Sequence, residues 1–316
     1  MTRTKNEPRT LLEAIRYFSD PDRALTFAMK FRWADGKPVC PSCGCLDHSF
    51  LKTRRIWKCS ACKRQYSVKV GTIFEDSPIG FDKWLPAVWL VANSKNGISS
   101  HEMARALGVT QKTAWFMSHR IRLAMQAGTF AKLSGEVEVD ETFVGGLARF
   151  MHQEARAKLR GTGGVDKAMV VGALERTHDH VLSHVSASIA TNRDSATLQP
   201  LVHRTVAVGS TVYTDALNAY RGLDGLFYSH QFIDHAVKYV EGRVHTNGIE
   251  NFWSLLKRGL KGTYVCASPW HLHRYVDERV FTFNNREAGD LGRMHLVMES
   301  VAGRRVTWDE LTGKAA

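Results

Sequence analysis

Two closely spaced pairs of cysteines constrain the fold of this chain more than any other feature. They form two C-x2-C pairs separated by 15 residues: Cys40, Cys43, Cys59 and Cys62. Each pair predicts a tight turn whose two thiolates point at one ion, and two such turns complete the tetrahedral four-sulfur shell that Zn²⁺ prefers. Gly44 follows the second cysteine, where a left-handed residue often closes such a turn. The spacing therefore predicts a structural Zn²⁺ site in a small ribbon over residues 37–72.

The basic residues of this ribbon predict contacts with phosphate. Between the cysteine pairs lie Lys52, Arg54, Arg55 and Lys58. A ribbon with this much positive charge is expected to touch DNA or a protein partner. In the alternative interpretation, zinc only replaces a hydrophobic core that is too small to form. The two interpretations are compatible.

Charge is divided unevenly along the chain. Residues 1–133 hold 22 Lys and Arg against 10 Asp and Glu, whereas residues 134–316 hold 21 of each kind. The whole net charge of +12 therefore lies in the front half. Such asymmetry predicts an acidic polymer as partner, above all nucleic acid. A basic surface that serves only solubility is the alternative.

The distribution of apolar residues bears on the compartment. No apolar run approaches the roughly 18 residues of a membrane span, so none is expected. The polar N-terminus lacks the apolar segment of a signal peptide. We therefore expect a cytoplasmic protein. In that compartment clustered cysteines are more often metal ligands than disulfides, and the two leftover cysteines, Cys45 and Cys266, are interpreted as bystanders.

The pattern of the sequence changes near residue 134. Residues 1–36 form a helical segment before the ribbon, and residues 80–128 are helical again. Beyond them lie four β-like runs, separated by turns and helical stretches: Glu136–Val144, Ala168–Leu174, Val181–Val185 and Thr211–Tyr213. Strands followed by helices predict an α/β domain with a mixed sheet over residues 134–290. Residues 291–316 would form a C-terminal extension.

Residues 99–115 have the pattern of a helix, a turn and a second helix. Ser99 or Ser100 can cap the first helix, and Thr110 can cap the second. Gly108 lies where the turn needs conformational freedom. Several polar side chains would remain for a DNA groove or for phosphates: Gln111, Lys112, Thr113, Ser118, His119 and Arg122. Plain helical hairpins share this pattern, so a DNA-reading helix-turn-helix is one of two interpretations.

Three acidic residues of the second half are candidates for a metal site. Asp140 and Asp215 lie at the ends of β-like runs, where sites form in open α/β sheets. Glu250 lies in a helical pattern, with Lys257 seven residues later on the same face. Carboxylates from two strands and one helix can hold two divalent ions that drive phosphodiester chemistry. Solvated surface residues and an ion-pair stripe are the alternatives, and Glu141 adds ambiguity at the first position.

Three longer stretches carry a family resemblance. They are Val-Asp-Glu-Thr-Phe-Val-Gly-Gly at 139–146, Tyr-Thr-Asp-Ala at 213–216, and His-Thr-Asn-Gly-Ile-Glu-Asn-Phe-Trp-Ser-Leu-Leu-Lys-Arg-Gly at 245–259. They resemble bacterial insertion-sequence transposases, in particular the fifteen-ninety-five insertion-sequence family, also described as ISXO-like. The resemblance covers roughly residues 10–290. It implies a zinc ribbon followed by a DDE catalytic domain of ribonuclease-H-like fold.

The resemblance also implies roles for residues. Asp140, Asp215 and Glu250 match the three acidic positions, which would hold catalytic Mg²⁺ or Mn²⁺. Lys257 matches the basic residue that follows them, and it would contact DNA together with Arg258. Some family members carry Asn at the third acidic position, so Asn247 and Asn251 remain alternatives there. A carboxylate is nevertheless the better ligand for Mg²⁺.

The expected activity is Mg²⁺-dependent cleavage and strand transfer of DNA. The partners would be the terminal inverted repeats of the chain's own element and target DNA, bound by a homodimer or a higher oligomer. One alternative is a DNA-binding regulator with an inactive transposase-derived domain, and another is a metal-dependent DNA nuclease that does not join. A zinc hydrolase is disfavoured because four cysteines leave Zn²⁺ no open position.

Overall fold

The computed structural model describes residues 7–33, 35–126, 132–145, 167–178, 182–224, 227–233, 243–265 and 267–314. The chain folds into two compact units. One unit combines Met1–Ala127 with Asn285–Ala316, and the other is Gly128–Asn284. Among the described residues, no helix has the length and apolar character needed to cross a membrane.

The first unit begins with two helices and a small sheet. These elements are α1 (Leu11–Phe18), α2 (Pro21–Arg32), β1 (His48–Leu51), β2 (Ile56–Cys59) and β3 (Gln65–Tyr66). The strands are antiparallel in the order β1-β2-β3. Trp57 of β2 is buried between the rings of Trp33, Phe50 and Tyr66. These aromatic contacts belong to a small core that the ribbon shares with α2, which contributes Leu25 and Ala28.

Three helices follow: α3 (Phe81–Asn93), α4 (Ser100–Leu107) and α5 (Gln111–Met125). Ser99 caps α4 in a capping box with Glu102, and Thr110 accepts a hydrogen bond from the backbone N–H of Thr113 at the start of α5. Gly108 ends α4 in the left-handed conformation, with φ of +60°. The predicted caps and the predicted turn are therefore confirmed.

The second unit contains a mixed sheet, as predicted, and the described residues supply five strands where four were predicted. Its strands are β4 (Glu136–Val144), β5 (Ala168–Glu175), β6 (His184–Ala190), β7 (Thr211–Asp215) and β8 (Ser229–Ile233). They lie in the order β6-β5-β4-β7-β8. The β4-β5 and β5-β6 pairs are antiparallel, whereas the β4-β7 and β7-β8 pairs are parallel. The two central strands, β4 and β7, thus end at the same edge of the sheet.

Helices cover both faces of this sheet: α6 (Ser195–Thr205) on one face, and α7 (Asn247–Gly259) and α8 (Leu272–Asn284) on the other. Alternation along β4 turns Val137 and Val139 toward the α6 face. The even-numbered residues of β5, such as Val170 and Leu174, pack against α7 and α8. Helix α7 continues as a single π-helical turn, Leu260–Tyr264.

The end of the chain returns to the first unit. It contains α9 (Gly289–Glu299) and α10 (Trp308–Thr312). The Nδ2 amide of Asn93 donates to the backbone carbonyl of Asp290 at 3.2 Å, and Nε of Arg293 donates to Oδ1 of Asn93 at 2.8 Å. Residues 285–314 are thereby part of the first unit, rather than separate from it. The five segments drawn from the sequence stay a prediction.

Two strands differ from the sequence-based assignments. Strand β6 spans His184–Ala190, later than the predicted Val181–Val185, and Val181 lies outside the described residues. Strand β8 was not predicted, because Ser-His-Gln-Phe-Ile lacks an apolar run. Parallel pairing with β7 stabilises this strand through backbone hydrogen bonds, which cannot be predicted from the local sequence.

Candidate metal and DNA site

The register between β4 and β7 places two acidic residues side by side. Glu136 pairs with Thr211 and Glu138 pairs with Tyr213, the same offset that separates Asp140 from Asp215. Neighbouring strands lie about 4.8 Å apart. Asp140 and Asp215 keep this offset two residues beyond the last paired position, Glu138 with Tyr213. Asp215 ends β7, where sites form in open α/β sheets, whereas Asp140 lies in the middle of β4, so the prediction that it ends a strand is corrected.

Asp140 is held by the helix that covers its face of the sheet. The indole Nε1–H of Trp253 donates to Oδ2 of Asp140 at 2.9 Å. The indole passes over Gly172, the β5 partner of Asp140, where a Cβ atom would lie 2.6 Å from Cη2 of the ring. Burial raises the pKa of Asp140 to about 7, and the charges of Glu141 and Asp215 add to the effect. The carboxyl is thus fixed in a place that disfavours its own negative charge.

The start of α7 is attached to the sheet by Glu138. This buried carboxylate accepts from the backbone N–H of Ile249 at 2.9 Å and from Nε of Arg176 at 2.8 Å. It serves as the cap that Thr246 does not provide. Gly248 permits this approach, since a Cβ atom there would lie 2.9 Å from Oε2 of Glu138. Sequence analysis missed this contact between two distant segments.

Arg176 strengthens the same attachment. Besides Glu138, its guanidinium donates to the backbone carbonyls of Arg243 and His245 at 2.8 and 2.7 Å. It also lies 4.2 Å from the ring centroid of Tyr213. His245, whose Nδ1 is 3.3 Å from Oε1 of Glu138, belongs to this network. Its contacts there fit a structural role.

Glu250 lies on the exposed side of the first turns of α7. The hydroxyl of Thr246 donates to its Oε1 at 2.9 Å. Glu250, Trp253 and Lys257 are spaced by three and four residues, so they share one helix face. Burial lowers the pKa of Lys257, as does the neighbouring Lys261, while the charge of Asp140 opposes both. The helix thus presents Glu250 and Lys257 on the side from which Trp253 reaches Asp140.

The three carboxylates are less closely gathered than the cysteines. Within the described ranges, Cys40, Cys43, Cys59 and Cys62 are the one group of potential ligands whose atoms all lie within 4.8 Å of one another. Asp140, Asp215 and Glu250 do not meet that limit. Ligands of two ions that are themselves about 3.5–4 Å apart need not do so. The observed spread is therefore compatible with a two-ion site, and the assignment of these residues stays a prediction.

Glu141 is committed to other partners. Its Oε1 accepts from Nε of Arg193 at 2.5 Å, and its Oε2 accepts from the Tyr220 hydroxyl at 2.9 Å. Burial raises the pKa of Glu141, and the charge of Asp215 raises it further. Nη2 of Arg193 also lies 3.8 Å from Oδ2 of Asp215. With both oxygens engaged, Glu141 is a poorer candidate for a metal ligand than Asp140.

The chemistry of this edge suits a hard cation. The charges of Glu141 and Asp215 act on the buried Asp140, and among the described residues Arg193 bonds to Glu141 and lies 3.8 Å from Asp215. Carboxylate oxygens are the preferred ligands of Mg²⁺. A divalent ion would also relieve the repulsion that raises the pKa of Asp140. The donor set fits Mg²⁺ or Mn²⁺.

The cysteine site has the geometry of a four-sulfur shell. Sγ of Cys40 lies 3.6 Å from Sγ of Cys62, and Cys43 and Cys59 are separated by the same distance. A tetrahedron with Zn–S bonds of about 2.3 Å has edges of about 3.8 Å. The sulfur atoms therefore lie where structural Zn²⁺ requires them. The sequence-based prediction of zinc ligands is supported by both the spacing and the geometry.

The two cysteine turns are built alike. The N–H of Gly44 donates to the carbonyl of Cys40 at 2.9 Å, and the N–H of Lys63 donates to the carbonyl of Cys59 at 3.1 Å. Both turns close with positive φ, +73° at Gly44 and +60° at Lys63. The left-handed Gly44 was predicted. Lys63 was not, because its residue type does not favour that conformation.

The predicted DNA-contacting residues divide into exposed and engaged groups. Lys52, Arg54 and Lys58 are exposed on the ribbon, although Arg54 also donates to Gln65 at 2.8 Å. Arg55 instead pairs with Asp22 at 2.8 Å. Three further candidates are exposed: Gln111, Lys112 and Arg258. Lys257 and Thr113 are partly exposed, and the latter's hydroxyl bonds to Thr110.

Three candidates on α5 do not face solvent. Ser118, His119 and Arg122 are each at most 2% exposed. Helix α5 is packed over most of its length, and these three polar residues lie on faces that other elements cover. The expectation that these three side chains remain for a groove or for phosphates is therefore corrected. A sequence cannot separate a buried polar position from a surface one when neither face of a helix is apolar throughout.

Comparison with known proteins gives consistent matches. Residues 132–284 match the profile of the ISXO2-like transposase domain, and residues 19–65 match that of the transposase zinc-ribbon domain. A Halobacterium salinarum relative, an uncharacterized protein in transposable element ISH50, is 29% identical over 260 residues, 78% of this chain and 85% of that protein. An uncharacterized transposase-like protein of Haemophilus influenzae is 36% identical over 99 residues, 31% of this chain and 80% of that protein. The matched segments contain the three candidate acids and the four cysteines.

Proposed function

Since the chain belongs to the ISXO2-like transposase family, we propose that it cuts and joins DNA at the ends of its own mobile element. The observation that carries this proposal is that Asp140 and Asp215 lie on two neighbouring parallel strands, close enough for the charge of Asp215 to act on Asp140, with Glu250 on the helix that Trp253 attaches to Asp140. Carboxylates from two neighbouring strands and one helix suit a metal-dependent phosphodiester reaction.

We assign the second unit a ribonuclease-H-like fold. A central mixed sheet with two antiparallel and two parallel strand pairs, covered by helices on both faces, supports this assignment. It agrees with the family to which the chain belongs. Within this fold, we propose that Asp140, Asp215 and Glu250 would hold Mg²⁺ or Mn²⁺, with Asn247 and Asn251 as the alternatives at the third position.

The proposed mechanism divides tasks among residues of the chain. When bound, two divalent ions supply an activated water or 3′-hydroxyl and stabilise the leaving oxygen of an in-line displacement. Trp253 keeps Oδ2 of Asp140 engaged and so orients the carboxyl group. Glu138 and Arg176 fix the beginning of the helix that carries Glu250. Lys257 binds a phosphate near the cut, where it neutralises negative charge.

DNA recognition is assigned to the basic first unit. Helices α4 and α5, joined through the left-handed Gly108, would act as a helix-turn-helix with Gln111 and Lys112 exposed at the start of the second helix. On the ribbon, Lys52 and Lys58 would contact phosphates. The partners are the terminal inverted repeats of the element and target DNA, and we expect a homodimer or a higher oligomer on paired ends.

A joining assay tests this proposal. Purified protein would be combined with a short duplex from the DNA that flanks its gene, a supercoiled target plasmid and Mg²⁺. Asp140→Asn would be compared with Glu299→Gln, which removes an exposed carboxylate of the first unit. The proposal expects joined product from the wild type and from Glu299→Gln, and none from Asp140→Asn.

The same assay separates the alternatives. Cleaved ends without joined product would favour a nuclease, and binding without either product, in Mg²⁺ and in Mn²⁺, would favour a regulator. Equal joining by Asp140→Asn and wild type would contradict the assignment of Asp140 as the first catalytic acid. Affinity for the DNA ends, measured in parallel, shows whether a variant has lost catalytic activity or only DNA binding.

A further inference from the structure

Arg193 lies at the same sheet edge as the candidate acids but reaches it from the other face. It follows β6 and directly precedes Asp194, the N-cap of α6. Its Nε donates to Oε1 of Glu141 at 2.5 Å, and its Nη2 lies 3.8 Å from Oδ2 of Asp215. No prediction from the sequence concerned this residue. Its position next to Asp215 makes it part of the surroundings of any group bound there.

Arg193 is held in place by a buried carboxylate, that of Glu141. The side chain of Glu141 is 1% exposed, and its second oxygen accepts from the buried hydroxyl of Tyr220 at 2.9 Å. Tyr220 packs in the core beneath α6. An ionised carboxylate that is buried and bonded on both oxygens holds its guanidinium partner in one orientation. Glu141 thus fixes Arg193 from below.

The guanidinium nevertheless keeps an open side. The side chain of Arg193 is 46% exposed. Among the described residues its nitrogen Nη1 has no hydrogen-bond partner, and Nη2 has only the 3.8 Å contact with Asp215. A guanidinium carries five N–H donors in a planar fork that matches two oxygens of one phosphate. Neutralising Glu141 alone does not require the Nη1 and Nη2 side of the guanidinium to face Asp215 and solvent. This side is therefore available to a ligand.

We propose that Arg193 binds a phosphate of the DNA backbone beside Asp215, with Glu141 and Tyr220 as positioning residues. This inference rests on the proposed function, because it names a contact to the same DNA at the same edge. Arg193 would donate to non-bridging oxygens and offset the charge that develops on them during displacement. The bound group is a phosphodiester, and the contact carries no information about base sequence.

Charge and donor geometry predict different results for two substitutions. Arg193→Gln removes the charge, and Arg193→Lys keeps it but replaces a planar fork with a point charge. We expect cleavage to fall about a hundredfold in Arg193→Gln, the usual effect of losing one preorganised donor. Arg193→Lys should recover only part of that loss. Arg204→Gln is the matched control, because Arg204 is exposed at the far end of α6.

The decisive experiment combines these variants with altered DNA. Each duplex would carry one neutral methylphosphonate, either at the cleaved position or at one of the two flanking phosphates. Cleavage of each duplex would be measured with wild type, Arg193→Gln, Arg193→Lys and Arg204→Gln. If Arg193 binds one of these phosphates, neutralising that phosphate slows wild type and Arg204→Gln but adds little to the loss in Arg193→Gln. Fully additive losses at every position would overturn the inference.

Other outcomes of the experiment are also decisive. Cleavage by Arg193→Gln that equals or exceeds wild type, or that needs less Mg²⁺, would show Arg193 to be a counter-ion of the acids, and the inference would be wrong. If Arg193→Gln does not fold, Arg193→Lys carries the same comparison. Absence of any cleavage by the wild type would count against the proposed function itself, whereas active wild type with additive losses counts against Arg193 alone.

The positioning role of Glu141 has its own readout. Glu141→Gln keeps an acceptor for Arg193 but removes the charge that orients it. We expect the methylphosphonate penalty to shrink in this variant, as it does in Arg193→Gln. A purely structural role would lower the melting temperature and leave that penalty unchanged, which would exclude positioning by Glu141.

Discussion

The indole N–H of Trp253 donates a hydrogen bond of 2.9 Å to Oδ2 of Asp140. This bond joins the helix that carries Glu250 to the strand that carries the first candidate acid. It exists because β5 has Gly172 opposite Asp140, so that the ring can lie against the backbone of the sheet. The hydrogen bond between Trp253 and Asp140 therefore fixes the position of the helix that carries Glu250 relative to Asp140.

We predict that Trp253→Phe reduces DNA joining about ten- to hundredfold. The ring remains, but a hydrogen bond to a charged group, worth about 1.5–3 kcal/mol, is lost. Joining rates and end binding would be measured together, and only the first should change. Trp270→Phe is the matched control, since Trp270 is 67% exposed. Equal losses in both variants would show that the effect does not come from the bond to Asp140.

Asp140→Asn should stabilise the protein above neutral pH in magnesium-free buffer. The folded pKa of Asp140 is raised from 3.8 to about 7, so the folded state binds its proton more tightly than the unfolded state does. The wild type therefore loses stability from this group as pH rises from about 4 to about 7. One pKa unit corresponds to about 1.4 kcal/mol, which gives an effect on the order of a few kcal/mol at pH 8.

Melting temperatures at pH 5, 6.5 and 8 would check this pH dependence. The difference between Asp140→Asn and wild type should be smallest at pH 5 and should grow through pH 6.5 to pH 8. Glu299→Gln should show no such trend, because Glu299 is exposed. A constant difference at all three values would contradict a raised pKa at Asp140.

Loss of zinc should unfold the ribbon and leave the second unit intact. Cys59→Ser removes one of four sulfur ligands, so bound zinc should fall from about one ion per chain to nearly none. Cys45→Ser should retain the metal, because Cys45 is not one of the four clustered cysteines. Metal content and hydrogen exchange of residues 40–66 and 136–144 would be measured. Full zinc occupancy in Cys59→Ser, or its loss in Cys45→Ser, would overturn the ligand set.

DNA binding should weaken steeply with salt. If about six phosphates are neutralised, affinity should fall about a thousandfold between 50 and 200 mM monovalent salt. Lys52→Gln and Lys58→Gln should each reduce the slope of log affinity against log salt concentration by about 0.9. Arg221→Gln, an exposed position of the second unit, is the control. A flat salt response would argue against phosphate contacts by the basic first unit.

The sequence by itself determined the features that depend on neighbours along the chain. The zinc turns follow from C-x2-C spacing and from Gly44, which supplies the left-handed residue of the first turn. The ends of α4 and α5 follow from Ser99, Gly108 and Thr110, because a cap is a contact within one turn of helix. Family membership followed from motifs long enough to be read without a fold.

Only the tertiary structure decided which distant residues meet. Glu138 caps a helix that begins more than a hundred residues later, and Trp253 reaches Asp140 across the site of Gly172. Local patterns wrongly predicted that Arg122 is exposed, and they did not predict β8. Burial of a polar residue and pairing of a polar strand both depend on partners far away in the chain. The chemistry of the candidate acids could be read from the sequence, but the arrangement that supports them required the folded sheet and helix.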